Sequence, residues 1–219
     1  MYVCNKTIIS VEGNIGAGKT TILDTIASKL QTEQPSRKIV IVREPVDEWS
    51  EIKDPITGET ILQKFYSDVH RYSFAFQVMA FATRISAIKN AIRAHPECDV
   101  FLCERSLDAD GFIFAKMMYD DGAIDPVSYQ VYRKIYESTV DEFPLHKIMY
   151  LNISPELCSE RILKRARNGE ENISLDYLRR CYDYHESWIR NTNIPVVELK
   201  NDEHIAEFVD ICLHHTELL

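Results

Sequence analysis

Long apolar runs and paired cysteines are both missing from this sequence of 219 residues. No stretch approaches the ~20 apolar residues of a membrane-spanning helix, so the sequence predicts no membrane association. The six cysteines are far apart, without a Cys-x2-Cys pair, which is typical of reduced thiols in an intracellular protein. The first predicted strand begins near the N-terminus and leaves no room for a secretory or transit segment. We therefore expect a cytoplasmic protein.

An excess of positive charge is also lacking. The chain has 25 lysines and arginines against 34 acidic residues, a net charge of −9, and the acidic residues are spread along it. This distribution argues against a nucleic-acid partner and against binding to a membrane surface. Internal repeats, low-complexity tracts and long linkers are absent from the sequence as well. The length suits one α/β domain, so we predict a single domain over residues 1–219.

The strongest motif lies close to the start of the chain. Residues 13–20 fit the pattern Gly-x4-Gly-Lys-Ser/Thr, and they directly follow a β-branched run at 7–11. Glycines let such a loop turn its backbone N–H groups toward one anion at the N-terminus of the next helix. Lys19 then reaches the β- and γ-phosphates, and Thr20 holds Mg²⁺ through its hydroxyl. The predicted triphosphate-binding residues are Gly13, Asn14, Ile15, Gly16, Ala17, Gly18, Lys19 and Thr20.

Four further short apolar runs, at 38–42, 100–103, 147–153 and 195–199, alternate with segments of helical periodicity. This alternation predicts an α/β fold with five parallel strands and helices on both faces of the sheet. In such a fold, ligands bind where the strands end. Glu44 follows the second strand, and Glu104 and Arg105 follow the third. We therefore expect all three side chains beside the phosphate loop.

These three residues supply what phosphoryl transfer needs besides the loop. Glu44 is placed to accept the proton of an acceptor hydroxyl. Glu104 stands where many phosphate-loop proteins have an aspartate that directs Mg²⁺, and we assign it to the metal together with Thr20. Arg105 would bridge Glu44 and the reacting oxygens. Taken alone, a glutamate after a strand is more often a solvated loop residue, but these neighbours favour catalysis.

Taken in order along the chain, the motifs resemble those of deoxyribonucleoside kinases, and most closely the deoxycytidine and deoxyguanosine kinase branch. The similarity spans about 7–190. It implies a P-loop NTPase-type fold, ATP with Mg²⁺ as phosphate donor, a deoxynucleoside as acceptor, a role in nucleotide salvage and a homodimer. The motifs are residues 13–20, Glu44-Pro45 with Trp49, Phe65-Tyr66, Phe76-Gln77, Glu104-Arg105-Ser106, and Arg165-Ala166-Arg167-Asn168 followed by Glu170.

The resemblance also implies roles for individual residues. Glu44 becomes the base toward the 5′-hydroxyl, and Arg105 steadies it. Tyr66 and Glu170 hold the 3′-hydroxyl, while Gln77 reads the edge of the base. An arginine-rich lid at about 161–173 closes over the ATP phosphates with Arg161, Arg165 and Arg167. The implied nucleoside-binding residues are Trp49, Phe65, Tyr66, Phe76, Gln77, Ala80, Arg84, Asp110, Phe114 and Glu170.

Three residues of one predicted helix, Gln77, Ala80 and Arg84, fall on one stripe and bear on the choice of base. Ala80 leaves space for a larger ring. Arg84 needs a carboxylate if it is buried, for which Asp110 is the candidate, whereas an exposed Arg84 on an amphipathic helix is the alternative. Relatives with an Arg–Asp pair at these positions accept deoxycytidine or purine deoxynucleosides, so the resemblance implies that these are better substrates than thymidine. Two positions depart from the branch, since Phe65 replaces a usual methionine and Gly111 a larger residue.

Other functions fit parts of the sequence. A thymidylate-kinase type of monophosphate kinase would need cations, not the carboxylate of Glu44, near its acceptor phosphate. A broad-specificity kinase that accepts thymidine differs only in the base pocket. A GTPase-like switch would use the Asp-x-x-Gly match at 108–111, but this match lies in a predicted helix and no Asn-Lys-x-Asp follows. A binding module without catalysis is disfavoured because every polar role has an occupant.

Overall fold

The computed structural model describes residues 4–33, 36, 38–167, 169–170, 172–200, 209–211 and 214. Five strands form one sheet in the order β2-β3-β1-β4-β5, and each neighbouring pair is parallel. The predicted parallel five-stranded sheet is therefore confirmed. The strands are β1 (Thr7–Gly13), β2 (Ile39–Val42), β3 (Val100–Glu104), β4 (Leu145–Asn152) and β5 (Val196–Lys200).

Helices connect the strands, as parallel neighbours require. A π-helical segment, Asp110–Ala115, joins α5 to α6, and a short 3-10 turn, Val140–Glu142, precedes β4. No described helix is long and apolar enough to cross a bilayer. The α-helices of the described residues are α1 (Lys19–Glu33), α2 (Val46–Glu51), α3 (Ile61–Ser67), α4 (Val69–Ala94), α5 (Leu107–Ala109), α6 (Lys116–Asp120), α7 (Pro126–Glu137), α8 (Pro155–Arg165) and α9 (Leu175–Asn191).

Successive residues of β1 enter different hydrophobic cores. Ile9 packs in a core with Leu23 of α1, whereas Ile8 packs in another core with Phe81 of α4. Because neighbouring side chains of a strand point to opposite faces, the two cores cover the two faces of the sheet. The central strand is thus buried on both sides.

Side-chain caps start the helices that leave this end of the sheet. The Ser106 hydroxyl accepts a hydrogen bond from the backbone N–H of Ala109 at 3.1 Å, directly after β3. The Ser154 hydroxyl accepts from the N–H of Leu157 at 3.3 Å, after β4. Each cap satisfies a backbone donor that the first turn would leave unpaired. The chain can therefore turn sharply and keep the strand ends close to one another.

Three sequence expectations need comment. The sequence predicts one regular helix over about 107–119, but its middle turns widen into the π-helical segment. The sequence also predicts a last helix after the fifth strand, and this helix falls largely outside the described residues. The predicted lid also includes positions 168 and 171, which lie outside them.

Candidate active site

A cavity of 730 Å³ opens where β1, β2 and β3 end. Apart from Gly13 and Asn14, every residue that the sequence predicted for the site lines this cavity. The three strands are neighbours in the sheet, so side chains far apart in sequence meet at one edge. Convergence of loop, carboxylates, arginines and aromatic rings in one cavity is the arrangement expected of a ligand site.

The phosphate loop has the backbone that its glycines predict. Gly16 and Gly18 have φ values of 80° and 99°, in the region that L-residues rarely adopt. A Cβ atom on Gly16 would lie 2.5 Å from the carbonyl oxygen of Cys158. Asn14 points away from the cavity, since its Nδ2 donates to the carbonyl oxygen of Leu178 at 2.8 Å. Asn14 therefore ties the loop to α9.

Lys19 folds back over this loop. Its Nζ donates to the carbonyl oxygens of Gly13 at 3.2 Å and Asn14 at 2.9 Å. Burial first, and the charge of Arg105 second, lower the pKa of Lys19 to about 8, although Glu44 and other carboxylates oppose the shift. Burial and the charge of Arg105 therefore outweigh the attraction of the nearby carboxylates for the Lys19 ammonium group.

The residues predicted for Mg²⁺ lie side by side. The Thr20 hydroxyl donates a hydrogen bond to Oε1 of Glu104 at 2.6 Å. A hydroxyl oxygen and a carboxylate oxygen at the foot of a phosphate loop are the hard ligands that Mg²⁺ prefers, and the ion usually keeps several waters and binds substrate phosphates as well. This donor set fits the ion.

Glu44 and Asp110 share one buried arginine. The Nε atom of Arg84 donates to Asp110 at 2.8 Å, and its Nη2 donates to Glu44 at 3.0 Å. Its Nη1 donates to the backbone carbonyl of Glu104 at 3.0 Å. Arg84 is only 3% exposed, so the structure contains the predicted ion pair and not the exposed alternative. Burial would lower the pKa of Arg84, but Asp110 and Glu44 outweigh it and raise the pKa above its usual value.

Positive charge surrounds the Glu44 carboxylate. The Nε atom of Arg105 lies 3.6 Å from Glu44 Oε1, in addition to the contact with Arg84. Burial alone would raise the pKa of Glu44, but the cations Arg84, Arg105 and Lys19 lower it to about 2. Glu44 is therefore ionised at neutral pH and can accept a proton or a hydrogen bond.

Aromatic rings form one wall of the cavity. Phe65 and Phe76 stack with their centroids 4.5 Å apart and their planes at 11°, and Trp49 meets Phe76 edge-on at 5.4 Å. The Trp49 indole donates to the Thr83 hydroxyl at 2.9 Å, which fixes its orientation. Such a wall offers flat apolar surface to a planar ring.

Two further residues face the same space as the aromatic wall. The Gln77 side chain is buried, and within the described part of the chain its amide has no hydrogen-bond partner. Ala80 lies one helical turn away on α4 and keeps this space open. The cavity thus contains an unsatisfied amide beside an apolar slot, which suits a planar ligand with polar edges.

Cations line the opposite part of the cavity. Arg161 donates to the carbonyl oxygen of Ala17 in the phosphate loop at 2.9 Å. Arg165 and Arg167 both pair with the buried Glu170, the latter at 3.3 Å. The carboxylate of Glu170 thus draws two arginines to the cavity that the phosphate loop also lines.

Sequence reasoning missed several side chains at the site. Tyr177 of α9 lines the cavity, with its ring centroid 5.9 Å from that of Tyr66. Glu12 and His185 are completely buried next to Arg105. The sequence contains only a weak indication of the roles of Glu12 and His185, since each is an ionisable residue within an otherwise apolar pattern. Glu12 lies near the end of β1, after the β-branched run at 7–11, and His185 lies on the buried face of α9 that includes Leu178 and Cys181.

Gly111 has a structural explanation. A Cβ atom at this position would lie 2.8 Å from the ring of Tyr136 on α7. The close approach of this ring to the π-helical segment requires a residue without a side chain. Gly111 does not line the main cavity. Its small size therefore does not widen the space beside Arg84 and Asp110.

Comparisons with known proteins agree with this geometry. A sequence model of the family described as deoxynucleoside kinase matches residues 9–212. The chain is 32% identical over 210 residues to a probable deoxycytidine kinase of Fowlpox virus, with 92% of this chain and 80% of that protein covered. It is 30% identical over 212 residues to the mitochondrial deoxyguanosine kinase of Xenopus laevis, with 88% of this chain and 77% of that protein covered. It is 32% identical over 199 residues to deoxycytidine kinase of Mus musculus, with 83% of this chain and 74% of that protein covered.

Proposed function

This chain belongs to the deoxynucleoside kinase family. We propose that it transfers the γ-phosphate of ATP to the 5′-hydroxyl of deoxycytidine and the purine deoxynucleosides. We propose further that the chain is one catalytic domain and that the reaction serves nucleotide salvage. One observation carries the proposal. The ionised carboxylate of Glu44 lies in the same cavity as the phosphate-loop lysine, Lys19, and the aromatic slot. A sugar whose base occupies this slot would present its primary hydroxyl between Glu44 and the phosphates.

Glu44 orients the acceptor and takes its proton. Phosphoryl transfer passes through a loose transition state in which the attacking oxygen carries little new bond, so a well-placed weak base suffices. Arg84 and Arg105 keep the Glu44 carboxylate ionised and fix its direction. The proton of the 5′-hydroxyl moves to Glu44 as the 5′-oxygen bonds to the γ-phosphorus. The bond between the γ-phosphorus and the bridging oxygen breaks, and ADP leaves with the electron pair of that bond. Positioning therefore contributes more to this step than basicity does.

The donor phosphates bind at the opposite side of the reacting centre. The N–H groups of the loop and the Lys19 ammonium face them, and Arg161, Arg165 and Arg167 add positive charge. Thr20 and Glu104 would hold Mg²⁺. When bound, the ion neutralises charge on the β- and γ-phosphate oxygens.

The nucleoside is held by its base and by its sugar. The base lies between Phe114 and the wall that contains Phe76, and the free amide of Gln77 binds its polar edge. The Arg84–Asp110 pair borders this part of the cavity. Its presence supports deoxycytidine, deoxyadenosine and deoxyguanosine as better substrates than thymidine. Tyr66 and Glu170 hold the 3′-hydroxyl. The ion pairs with Arg165 and Arg167 hold the Glu170 carboxylate in this position.

The decisive test is a steady-state assay of four deoxynucleosides with ATP and Mg²⁺, run beside Glu44→Gln. We expect the highest kcat/KM for deoxycytidine or a purine deoxynucleoside, and a variant that still binds nucleoside but loses most turnover. Thymidine as the best substrate would contradict the base preference. Faster reaction of a deoxynucleoside monophosphate than of the nucleoside would favour the thymidylate-kinase alternative. Unchanged turnover would remove Glu44 from its role.

We also propose that the enzyme is a homodimer. Val127, Val131 and Ile135 recur every four residues on α7 and are 69%, 46% and 36% exposed, so they form an apolar stripe. The aromatic residues Tyr132 and Tyr136 of the same helix are buried in the core and leave the stripe to the aliphatic side chains. Light scattering should give twice the chain mass for the wild type and a smaller mass for Val131→Glu. A monomeric wild type would contradict the proposal.

A cytoplasmic location completes the proposal. The cysteines at 4, 98, 103, 158 and 181 are buried and form no disulfide among the described residues, as expected in a reducing compartment. Imaging of the full chain with a C-terminal fluorescent tag should show diffuse cytoplasmic signal. Concentration in an organelle would contradict this part of the proposal.

A further inference from the structure

Arg105 contacts a buried histidine that the proposed chemistry does not use. Nη1 of Arg105 lies 3.3 Å from Nε2 of His185, one of the completely buried residues of α9. The other ring nitrogen, Nδ1, lies 2.6 Å from the backbone carbonyl oxygen of Cys181, one turn earlier in the helix. The imidazole ring therefore bridges the backbone of α9 and the guanidinium group at the end of β3.

These two contacts fit one tautomer of the ring, and the backbone of Gly13 is a further polar neighbour of the imidazole. A guanidinium group only donates hydrogen bonds, so Nε2 of His185 must accept, and Nδ1 must carry the proton that it donates to Cys181. Burial first, and the charge of Arg105 second, keep the pKa of His185 well below its ordinary value. The ring is thus neutral and presents a lone pair to Arg105. The ring of Tyr150 stacks on the imidazole, with the two centroids 6.1 Å apart and the two planes at 14°, and holds its plane.

Other contacts fix the rest of the guanidinium group. Its Nη2 donates to the carbonyl oxygen of Gly13 at 3.1 Å, and its carbon lies 4.5 Å above the centre of the Phe114 ring. Together with His185, these contacts leave the Nε edge of Arg105 facing Glu44 at 3.6 Å. Arg105 itself has φ of 69°, which few non-glycine residues adopt, so its backbone is held in an unusual conformation as well.

A competing acceptor lies close to the same guanidinium nitrogen. Oε2 of Glu12 is 3.8 Å from Nη1 of Arg105 and has no hydrogen-bond partner among the described residues. The other oxygen, Oε1, accepts from the backbone N–H of Ser106 at 2.7 Å, so the Glu12 carboxylate is itself fixed in place. Without an acceptor on His185, Nη1 of Arg105 would turn toward Glu12. That rotation would move the Nε edge away from Glu44.

We propose that His185 is a positioning residue for phosphoryl transfer, whose neutral Nε2 holds Arg105 toward Glu44 and away from Glu12. The inference rests on the proposed roles of Glu44 and Arg105. His185 does not touch the reacting atoms, so its loss should lower kcat through misplacement and leave substrate binding largely intact. A misplacement of about 1 Å at a reacting centre can cost roughly 100-fold in rate, and we expect roughly 10- to 100-fold here because the other contacts of Arg105 remain.

Two substitutions separate the acceptor from the ring. His185→Phe keeps an aromatic ring against Tyr150 but cannot accept a hydrogen bond, whereas His185→Gln loses the ring but places an amide oxygen within reach of Arg105. We expect H185F to have a kcat roughly 10- to 100-fold below the wild type, with the KM values for ATP and for deoxynucleoside each changed less than about threefold. We expect H185Q to recover at least about half of the loss in kcat, measured on a logarithmic scale. A purely structural role predicts the opposite order, so a kcat for H185F equal to or above that of H185Q overturns the proposal.

Controls cover the remaining outcomes. His146 is a histidine away from Arg105 whose Nδ1 accepts a hydrogen bond from the backbone N–H of Ile8 at 3.2 Å, so His146→Phe should lower the melting temperature without the fall in kcat. In an Arg105→Lys background, H185F should cause little further loss, and a full additional loss would contradict action through Arg105. If H185F does not fold, His185→Asn replaces it, because its shorter amide cannot reach Arg105, and a kcat equal to that of H185Q refutes the proposal. Wild-type activity, measured first, separates failure of the proposed function from failure of this inference.

Discussion

The buried pair of Arg84 and Asp110 allows a quantitative prediction of stability. We consider Asp110→Asn, which keeps the shape of the side chain and removes its charge. Arg84 would remain 3% exposed with Glu44 as its remaining carboxylate partner. Breaking one side of a buried ion pair typically costs about 3–5 kcal/mol because it leaves an uncompensated charge. Since Glu44 and the asparagine oxygen still accept from Arg84, we expect a loss near the lower limit, about 3 kcal/mol.

For a domain of this size, each kcal/mol changes the melting temperature by about 2–4 °C, so the loss corresponds to about 6–12 °C. Urea unfolding at pH 7, followed by tryptophan fluorescence, measures the free energy of unfolding directly. The matched control is Asp99→Asn, the same chemical change in the exposed pair with Lys6, where the Asp99 side chain is 85% exposed. Exposed ion pairs contribute at most about 1 kcal/mol, so this variant should unfold close to the wild type.

A double-mutant cycle with Arg84→Met decides whether the loss comes from the pair. Removal of both partners leaves less uncompensated charge than removal of one, so the double variant should be more stable than the sum of the single changes predicts. We expect a coupling free energy of about 2 kcal/mol. Additivity of the two changes within about 0.5 kcal/mol would refute the reasoning, since residues without mutual contact behave in that way. Equal losses for Asp110→Asn and Asp99→Asn would refute it as well.

Three more predictions follow from single contacts. Gly111→Ala should lower the free energy of unfolding by about 1–3 kcal/mol in urea titrations, because its methyl group would overlap the Tyr136 ring; an unchanged midpoint would contradict this. The pKa of Lys19 is about 8, below its usual 10.5, so at pH 8.5–9 ATP binding should take up a proton, and this uptake should vanish near pH 6.5. Calorimetry in two buffers of different ionisation enthalpy measures the uptake, and identical heats at pH 9 would exclude it. Thr83→Val removes the acceptor of Trp49, so the KM for deoxynucleoside should rise about fivefold, as for one lost hydrogen bond, with the KM for ATP unchanged; parallel changes in both values would contradict this.

Sequence reasoning predicted the parts of the site that follow strands directly. Lys19 and Thr20 belong to a motif whose spacing fixes their geometry, and Glu44, Glu104 and Arg105 come within two residues of a strand end. Because parallel strands end at one edge, their position in the sequence fixes their position in space. The fold itself was predictable for the same reason, since apolar runs alternating with helical segments allow few other arrangements.

Contacts between distant segments were not predictable in this way. The bond between Arg105 and His185 joins residues 80 positions apart, and that between Glu12 and Ser106 joins residues 94 apart. Neither His185 nor Glu12 belongs to a motif, and the contact of His185 depends on where α9 lies relative to the end of β3. An ionisable residue in an apolar stripe indicates a buried polar partner but does not identify it.

The π-helical segment shows how packing overrides local periodicity. Residues 107–119 have the periodicity of a regular helix, but Gly111 allows the Tyr136 ring to approach the backbone, and the turns widen at Asp110. Widened turns of this kind often occur at functional sites because they redirect one side chain. Here the widening begins at Asp110, the residue that pairs with Arg84. Gly111 thus contributes to the site by letting the Tyr136 ring pack against the π-helical segment, and not by enlarging the cavity.

Three cations of the site donate hydrogen bonds to carbonyl oxygens of the phosphate loop. Lys19 and Arg105 both donate to the carbonyl oxygen of Gly13, and Arg161 donates to that of Ala17. Buried donors need acceptors, and without these carbonyls each cation would incur a large desolvation cost. Under the proposed function, a triphosphate would replace at least part of these contacts, and its gross interaction energy would be offset by the bonds that it breaks. The cations already lie near the proposed phosphate position and would lose little conformational entropy on binding, which would let the site bind its donor moderately and still stabilise the transition state strongly.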